Sequence, residues 1–106
     1  MVQERIGQVA VIFASQRTAV DEAGYAAAAE AMDALAASQP GYRGIESARG
    51  ADGFGITVSY WADEASAIAW REQAEHAATR EIGRARWYES YDVQVARIER
   101  SYGWSR

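Results

Sequence analysis

The feature that most constrains the fold is a predicted β-hairpin that lies between two segments with helical periodicity. It is the stretch YRGIESARGADGFGITVSYW, in which residues 42–49 and 54–61 have the composition and length of strands. The segment between them, residues 50–53, contains an Asp-Gly pair, which favours a tight turn. A hairpin flanked by helices indicates an antiparallel sheet with helices packed on it.

The first helical segment, DEAGYAAAAEAMDALAASQPG, has one continuous apolar stripe. Asp21 and Glu22 lie near its start, where acidic groups favour the helix dipole, and Pro40-Gly41 is expected to stop it. The stripe is formed by residues at offsets of three and four: Tyr25, Ala28, Ala29, Met32, Leu35 and Ala36.

The second helical region follows the hairpin, with Asp63 as its predicted N-cap. Two apolar faces are predicted here, about half a turn apart at 3.6 residues per turn. They consist of Ala65, Ile68 and Ala69, and of Ala74, Ala77 and Ala78. Because one straight helix cannot bury both faces, we expect a break between Glu72 and Glu75, with Gly83 capping a second short helix.

The last predicted strand begins at Trp87, and Trp87, Tyr91, Val93 and Val95 are expected on one of its faces. With a first strand at Gln8 to Arg17, the element order becomes β-α-β-β-α-β. This order predicts the α+β class with a ferredoxin-like topology, in which both helices cover one face of a four-stranded antiparallel sheet. The length predicts one domain over residues 1–106.

The first strand also predicts a partner, because its two faces are both apolar. The faces consist of Val9, Val11 and Phe13, and of Ala10, Ile12 and Ala14. Such a strand is expected to be covered on both sides, and the helices supply only one cover. We therefore predict a homodimer in which two sheets pack face to face.

Composition excludes several classes of function. The net charge of −4 argues against a nucleic-acid partner, since neutralising phosphates requires clustered cations. The chain has no cysteine and one histidine, which argues against a zinc site and excludes a cysteine nucleophile. The N-terminal apolar run is too short for a signal peptide or a membrane span, so we expect a cytoplasmic protein without a membrane partner.

The single histidine, His76, is the candidate catalytic base. On a continuous helix it would share a solvated stripe with Glu72 and Arg80. At the start of a helix that follows a break, the positive helix end would lower its pKa and keep it neutral, as a base requires. The sequence leaves both interpretations open.

Aromatic residues around this region are the candidate walls of a pocket. Trp61, Trp70 and Trp87 would either line a flat apolar pocket or fill the core. Trp61 ends the third strand and Trp87 begins the fourth, so we expect them near each other. Tyr88 and Tyr91 add hydroxyl groups, and their odd spacing predicts opposite faces of the strand, with only one in the pocket.

Several blocks of the sequence resemble the antibiotic biosynthesis monooxygenase family. They are SYW, AW and EHAATREIGRARWYESYDVQVARIERSYG, with MDALAASQPGYRGIES in the first helix and its turn. The resemblance extends from Gln8 to Tyr102 and implies a dimeric α+β barrel of ferredoxin-like protomers. Some members of this family oxidise polyketide aromatics with oxygen and without metal or flavin.

Other relatives degrade haem with an Asn, a Trp and a His. Trp70 and His76 would match the last two residues, although they lie closer together than in that branch. The chain contains no Asn, which argues against haem degradation and weakens the transfer from oxygenases that rely on an Asn.

The expected function is therefore a cofactor-independent monooxygenase acting on a small quinol-like or polyketide-like aromatic compound. His76 is the expected base, and no metal or cofactor is expected. The expected substrate-binding residues are Trp61, Trp70, Trp87, Tyr88 and Tyr91. The alternatives are a non-catalytic dimer that binds a small planar ligand or haem, and a structural dimer with a filled aromatic core.

Overall fold

The structure is a computed structural model that describes residues 4–76 and 86–106, without the side chains of residues 74–76. Its elements follow the predicted order. They are β1 (Val9–Arg17), α1 (Glu22–Ala37), β2 (Tyr42–Arg49), β3 (Phe54–Trp61), α2 (Glu64–His76) and β4 (Tyr88–Arg97). The predicted α+β class and the ferredoxin-like element order are confirmed.

The four strands form one antiparallel sheet in the order β2-β3-β1-β4. Both neighbours of β1 run antiparallel to it, so β3 and β4 run parallel to each other. Trp61, at the end of β3, therefore lies beside Val9, whereas Tyr88, at the start of β4, lies beside Arg17. Trp61 and Trp87 were predicted to lie near each other, and this prediction is wrong. They lie at opposite ends of β1, and the eight residue steps from Val9 to Arg17 span about 26 Å.

Helix α1 begins at a tight cap. Asp21 adopts a left-handed conformation with φ of 55°, and its side chain accepts a hydrogen bond from the Gly24 backbone N–H at 3.2 Å. The predicted apolar stripe is confirmed. Ala36 is fully buried, and the half-buried members are Tyr25, Ala28, Ala29, Met32 and Leu35.

Helix α2 begins as predicted, because the Asp63 carboxylate accepts from the Ser66 backbone N–H at 2.8 Å. Among the described side chains of the helix, the buried ones are Ala67 and Trp70, one turn apart, whereas Ala65, Ile68 and Ala69 are exposed. The predicted face is therefore wrong. A tryptophan ring buries far more area than any of the small residues, so the helix turns this ring towards the sheet.

The predicted break in this region is also wrong within the described residues, because α2 runs without interruption through residues 72–75 to His76. The break was predicted because the face of Ala65, Ile68 and Ala69 was expected to be buried, and this face is exposed. Gly83, the predicted second cap, lies outside the described residues, as do Ala77 and Ala78.

The core lies between the helices and one face of the sheet. It is built around Trp61, and its other buried members are Val9, Val11, Ala36, Ala67 and Trp70. On the opposite face of the sheet, no described helix covers the side chains of Phe54 and Ile56, which are exposed at 47% and 42%. None of the described helices is long and apolar enough to cross a membrane.

Candidate functional site

A cavity of about 300 Å³ lies between α1 and the helix-covered face of the sheet. Both helices and all four strands contribute residues to its wall, so only the folded chain assembles it. Six aromatic side chains dominate the lining: Phe13, Tyr25, Trp70, Trp87, Tyr88 and Tyr91. The polar lining residues include Asp33, Thr57, Ser59 and Arg71.

Of the side chains predicted to bind a substrate, Trp61 lies outside this cavity, whereas Trp70, Trp87, Tyr88 and Tyr91 line it. Trp61 is 0% exposed and stacks on Trp70 with ring centroids 5.6 Å apart. Its indole N–H donates to Ser59 Oγ at 2.9 Å. Trp61 therefore supports the cavity wall from the core and is not positioned to contact a ligand there.

His76 is the last residue of α2, and its side chain lies outside the described residues. Its role as a base stays a prediction. The predicted break that would place His76 in the first turn of a second helix is not found, since α2 runs without interruption from Glu64 to His76. On this continuous helix Trp70 and His76 are about 120° apart around the axis.

Both candidate tyrosines face the cavity, which corrects the expectation that only one would. Ser15 pairs with Tyr91 and Gln16 with Ser90, but the next residue, Arg17, pairs with Tyr88. The register shift leaves one extra residue in β4, as in a β-bulge. This extra residue changes the spacing of the tyrosines from odd to even, so both side chains lie on the same face.

The tyrosines form a connected aromatic cluster with Phe13. The Phe13 ring centroid lies 5.5 Å from that of Tyr88 and 5.2 Å from that of Tyr91, and the two tyrosine centroids are 5.8 Å apart. Trp87 and Tyr88 both pack edge-on against Tyr25 at 5.9 Å. These contacts hold the rings in fixed orientations, as a pocket for a planar ligand requires.

Trp87 is held in place although it precedes β4. Its carbonyl accepts from the Thr18 backbone N–H at 2.8 Å and from Arg17 Nε at 3.1 Å. Its indole N–H donates to Asp21 Oδ2 at 3.3 Å, and this carboxylate also lies 3.9 Å from Arg86. The side chain is 5% exposed, so it forms a fixed wall of the cavity.

Tyr25 is the polar centre of one end of the cavity. Its hydroxyl oxygen accepts from Arg49 Nη2 at 3.0 Å, and Arg17 lies over its ring with the guanidinium carbon 3.9 Å from the centroid. Arg49 also donates to Ser15 Oγ at 2.9 Å and to the carbonyls of Ser15 and Gly53. These bonds fix the guanidinium group beside the tyrosine hydroxyl.

Burial raises the pKa of Tyr88 well above its ordinary value, and the neighbouring Tyr25 hydroxyl acts in the same direction. Arg49 and Arg17 oppose this rise without cancelling it. The Tyr88 hydroxyl therefore keeps its proton at neutral pH, and it shares a hydrogen bond with the Tyr25 hydroxyl at the cavity wall. Burial also raises the pKa of Asp33.

Replacing Tyr88 with Phe is expected to reduce the loss of stability at alkaline pH. Because the folded-state pKa of Tyr88 lies above its ordinary value of 10.0, the unfolded chain releases this proton first as the pH rises. The free energy of unfolding therefore falls above about pH 10, by at most about 1.4 kcal/mol per pH unit from this group, and by less because water screens the half-buried hydroxyl. Urea unfolding at pH 9 and pH 11 measures the difference between wild type and Tyr88→Phe.

Tyr102→Phe is the matched control for that experiment, because the Tyr102 side chain is 87% exposed. This control is expected to lose as much stability between the two pH values as the wild type does. An equal loss in wild type and Tyr88→Phe would contradict the assignment of the raised pKa to Tyr88.

Phe13, Tyr25 and Arg49 were not among the predicted site residues. Tyr25 was assigned to the core stripe of α1, and Phe13 to the apolar face of β1. For Arg49 the sequence did contain a signal. Ile45 and Arg49 are four residues apart, so they lie on the same face of β2. A charged residue on a face otherwise directed at the core marks a polar site.

A family model described as antibiotic biosynthesis monooxygenase matches residues 9–82 of the chain. The uncharacterized protein YqjZ of Bacillus subtilis (strain 168) is 53% identical over 91 residues, which cover 86% of this chain and 79% of that protein.

Two solved structures resemble the fold. One is SnoaB, a cofactor-independent oxygenase from Streptomyces nogalater, with a TM-score of 0.74 and 14% identity over 90% of this chain and 96% of that chain. The other is Rv0793 from Mycobacterium tuberculosis, with a TM-score of 0.76 and 15% identity over 91% of this chain and 99% of that chain. At these identities the likeness concerns the fold alone.

Proposed function

Because the chain belongs to the antibiotic biosynthesis monooxygenase family, we propose that it is a cofactor-independent monooxygenase that oxidises a small hydroxylated aromatic compound. The observation that carries the proposal is the aromatic cavity of about 300 Å³. The description of SnoaB as a cofactor-independent oxygenase supports the proposed chemistry by analogy of fold.

The cavity favours a small substrate. Its volume lies at the lower end of the range for small-molecule sites, about 300–1,000 Å³. Trp70, Trp87, Tyr88 and Tyr91 line this cavity. We propose that the rings of the two tryptophans contact a planar substrate and that the hydroxyl groups of the two tyrosines bind its polar substituents. We do not assign direct contact to Trp61, which is buried behind Trp70.

The proposed reaction needs no cofactor, since the substrate supplies all the electrons. A phenol with an unsubstituted para carbon reacts with O₂ to give a quinone and water. The ring C–H and O–H bonds break, one oxygen atom enters the ring as a carbonyl, and the other leaves in the water molecule. A base removes the phenolic proton first, and His76 is the proposed base. A dry aromatic cavity favours electron transfer from the resulting anion to oxygen.

We also propose that two copies of the chain associate through their uncovered sheet faces. The apolar side chains of Phe54 and Ile56 on this face support the proposal, because a second sheet would remove them from water. The cytoplasm is the compartment that we propose for this dimer.

The first test measures oxygen uptake with a panel of quinols and polyhydroxylated aromatics, after tryptophan fluorescence has identified the compounds that bind. Haem is included in the binding panel. We expect one O₂ to be consumed per substrate, and His76→Ala to lower kcat by about 10²–10⁴-fold, the usual contribution of a general base.

Gln73→Ala is the matched control for His76, because Gln73 is an exposed residue of the same helix. It is expected to leave turnover unchanged. Saturable binding without oxygen uptake would favour a non-catalytic binding protein, and unchanged turnover in His76→Ala would remove His76 from the mechanism.

A further inference from the structure

The carboxylate of Asp21 joins two walls of the cavity. Its Oδ1 accepts from the backbone N–H of Gly24 at 3.2 Å, in the first turn of α1, and its Oδ2 accepts from the indole N–H of Trp87 at 3.3 Å. Helix α1 and Trp87 both contribute to the lining, whereas Asp21 itself does not. One side chain behind the lining therefore connects the helix wall to the wall that precedes β4.

Asp21 provides the polar contact of the Trp87 ring. The backbone of Trp87 is fixed through its carbonyl, which accepts from the Thr18 N–H at 2.8 Å and from Arg17 Nε at 3.1 Å. These bonds do not fix the side-chain torsions, and the edge-on packing on Tyr25 at 5.9 Å is a contact between rings. An indole has one N–H donor, and among the described residues its acceptor is Asp21. The orientation of the ring therefore depends on this carboxylate.

Loss of this bond would move the ring, because Trp87 is only 5% exposed. A buried donor without an acceptor is unfavourable, so the ring would turn until its N–H met water or another acceptor. The second partner of Oδ2 is Arg86 at 3.9 Å, whose side chain is 55% exposed, and exposed ion pairs contribute little. The indole bond is therefore the contact of Asp21 that bears on the cavity.

Gly24 leaves room for the carboxylate. A Cβ on Gly24 would lie 2.7 Å from Asp21 Cγ and 2.8 Å from Oδ1, and it would displace the carboxylate, which ends a flexible side chain. Glycine is otherwise unfavourable in a helix, where alanine is the better residue. Of the residues that the structure describes, Asp21 is also the only non-glycine residue with a positive φ, at 55°. Two locally unfavourable features therefore coincide at this carboxylate, as is common where a residue serves a site.

We propose that Asp21 is a positioning residue, whose carboxylate holds the Trp87 ring in the orientation that a planar ligand contacts. Asp21 acts through the indole and does not touch the ligand. Because the ring is already fixed before binding, the ligand does not have to order it, and this preorganisation raises affinity. The inference rests on the proposed function only in taking the cavity as the substrate site, and it adds to that site a residue outside the lining.

The test compares the affinity of wild type and Asp21→Asn for 4-nitrophenol by calorimetric titration. The para carbon of this phenol is substituted, so the proposed oxidation does not occur during the measurement. Asparagine tolerates the left-handed conformation and retains the helix cap, so its side-chain oxygen remains on the Gly24 N–H. Its NH₂ group then faces the indole N–H, and two donors cannot bond. We expect about 2–10-fold weaker binding, the effect of having to order one side chain.

Asp63→Asn is the matched control, because it makes the same substitution at the cap of the other helix. Asp63 accepts from the Ser66 N–H at 2.8 Å and lies outside the cavity lining. This control is expected to retain the affinity of the wild type. An equal loss of affinity in Asp63→Asn and Asp21→Asn would show an effect of helix caps in general and would contradict the positioning role.

Gly24→Ala is the second test variant, and it leaves Asp21 in place. Its methyl group displaces the carboxylate from Trp87, so we expect a loss of affinity similar to that of Asp21→Asn. Because alanine favours the helix, a role of this turn in folding alone predicts no such loss. Binding and helix stability are therefore expected to change in opposite directions in this variant.

The indole N–H distinguishes an effect through Trp87 from a general effect. Trp87→Phe removes this donor, and in that background we expect Asp21→Asn to change the affinity by less than about twofold. Heteronuclear NMR gives a second readout, since the loss of one indole resonance in Trp87→Phe assigns it. In Asp21→Asn this resonance is expected to shift and to exchange faster with solvent, while that of the exposed Trp104 stays unchanged.

Three further outcomes would overturn the inference. They are an affinity equal to that of wild type in folded Asp21→Asn or Gly24→Ala, an undiminished effect of Asp21→Asn in the Trp87→Phe background, and no saturable binding of 4-nitrophenol. The proposed monooxygenase function fails separately, through the absence of oxygen uptake with phenols whose para carbon is free. Weaker binding in Asp21→Asn without oxygen uptake would therefore support the positioning role and contradict the oxygenase.

Discussion

Replacing Trp61 with Ala is expected to lower the free energy of unfolding by about 3–5 kcal/mol, the range for removing a large aromatic side chain from a core. Trp61 is 0% exposed, stacks on Trp70 at 5.6 Å and packs edge-on against Tyr42 at 5.8 Å. Its replacement leaves a void and removes the donor to Ser59 Oγ, which is itself buried. Both effects act in the same direction.

The measurement is urea unfolding followed by far-ultraviolet circular dichroism, because the substitution changes the fluorescence signal itself. Trp104→Ala is the matched control, since this tryptophan is 76% exposed and is expected to change stability by less than about 0.5 kcal/mol. Similar losses in the two variants would contradict a core centred on Trp61.

Replacing Ala29 with Leu is expected to weaken binding of 4-nitrophenol by about 10–200-fold, with little loss of stability. Ala29 is a half-buried cavity residue on α1. The larger side chain would occupy space that a ligand needs, and steric exclusion in an apolar pocket costs about 1–3 kcal/mol. Leucine has nearly the helix propensity of alanine, so the helix itself is expected to tolerate the change.

Ala27→Leu is the matched control, because it adds the same group to an exposed position two residues earlier in the same helix. Calorimetric titration of both variants separates an effect on the cavity from an effect on α1. Equal affinities in the two variants would place the ligand outside this cavity, and would also remove the main support for the proposed function.

The site could be predicted in part, and the successes and failures have different physical origins. The stripe of α1 was predictable because helix periodicity places Tyr25, Ala29 and Met32 on one face whatever they pack against. The buried face of α2 was not predictable, because the apolar residues of this region lie on two different sides of a helix and periodicity does not show which side packs on the sheet. Only contact with the sheet selected Ala67 and Trp70.

The positions of the aromatic residues show the same division. Residue type indicated a pocket wall or a core for Trp61, Trp70 and Trp87, but it did not distinguish between these roles. The order and direction of the strands determined that Trp61 and Trp87 lie far apart, since the two residues lie at opposite ends of β1. The extra residue between Tyr88 and Tyr91 brought both tyrosines to one face, which simple alternation excludes.

The sequence by itself determined the elements and their order, because hydrophobic period, caps and turn residues act locally. It also carried the family resemblance, which the match over residues 9–82 supports. Only the tertiary structure decided which side chains surround the cavity and that Arg49, from β2, meets Tyr25, from α1. Contacts between residues 24 positions apart depend on strand register and helix rotation, and these are set by the packing of the whole chain.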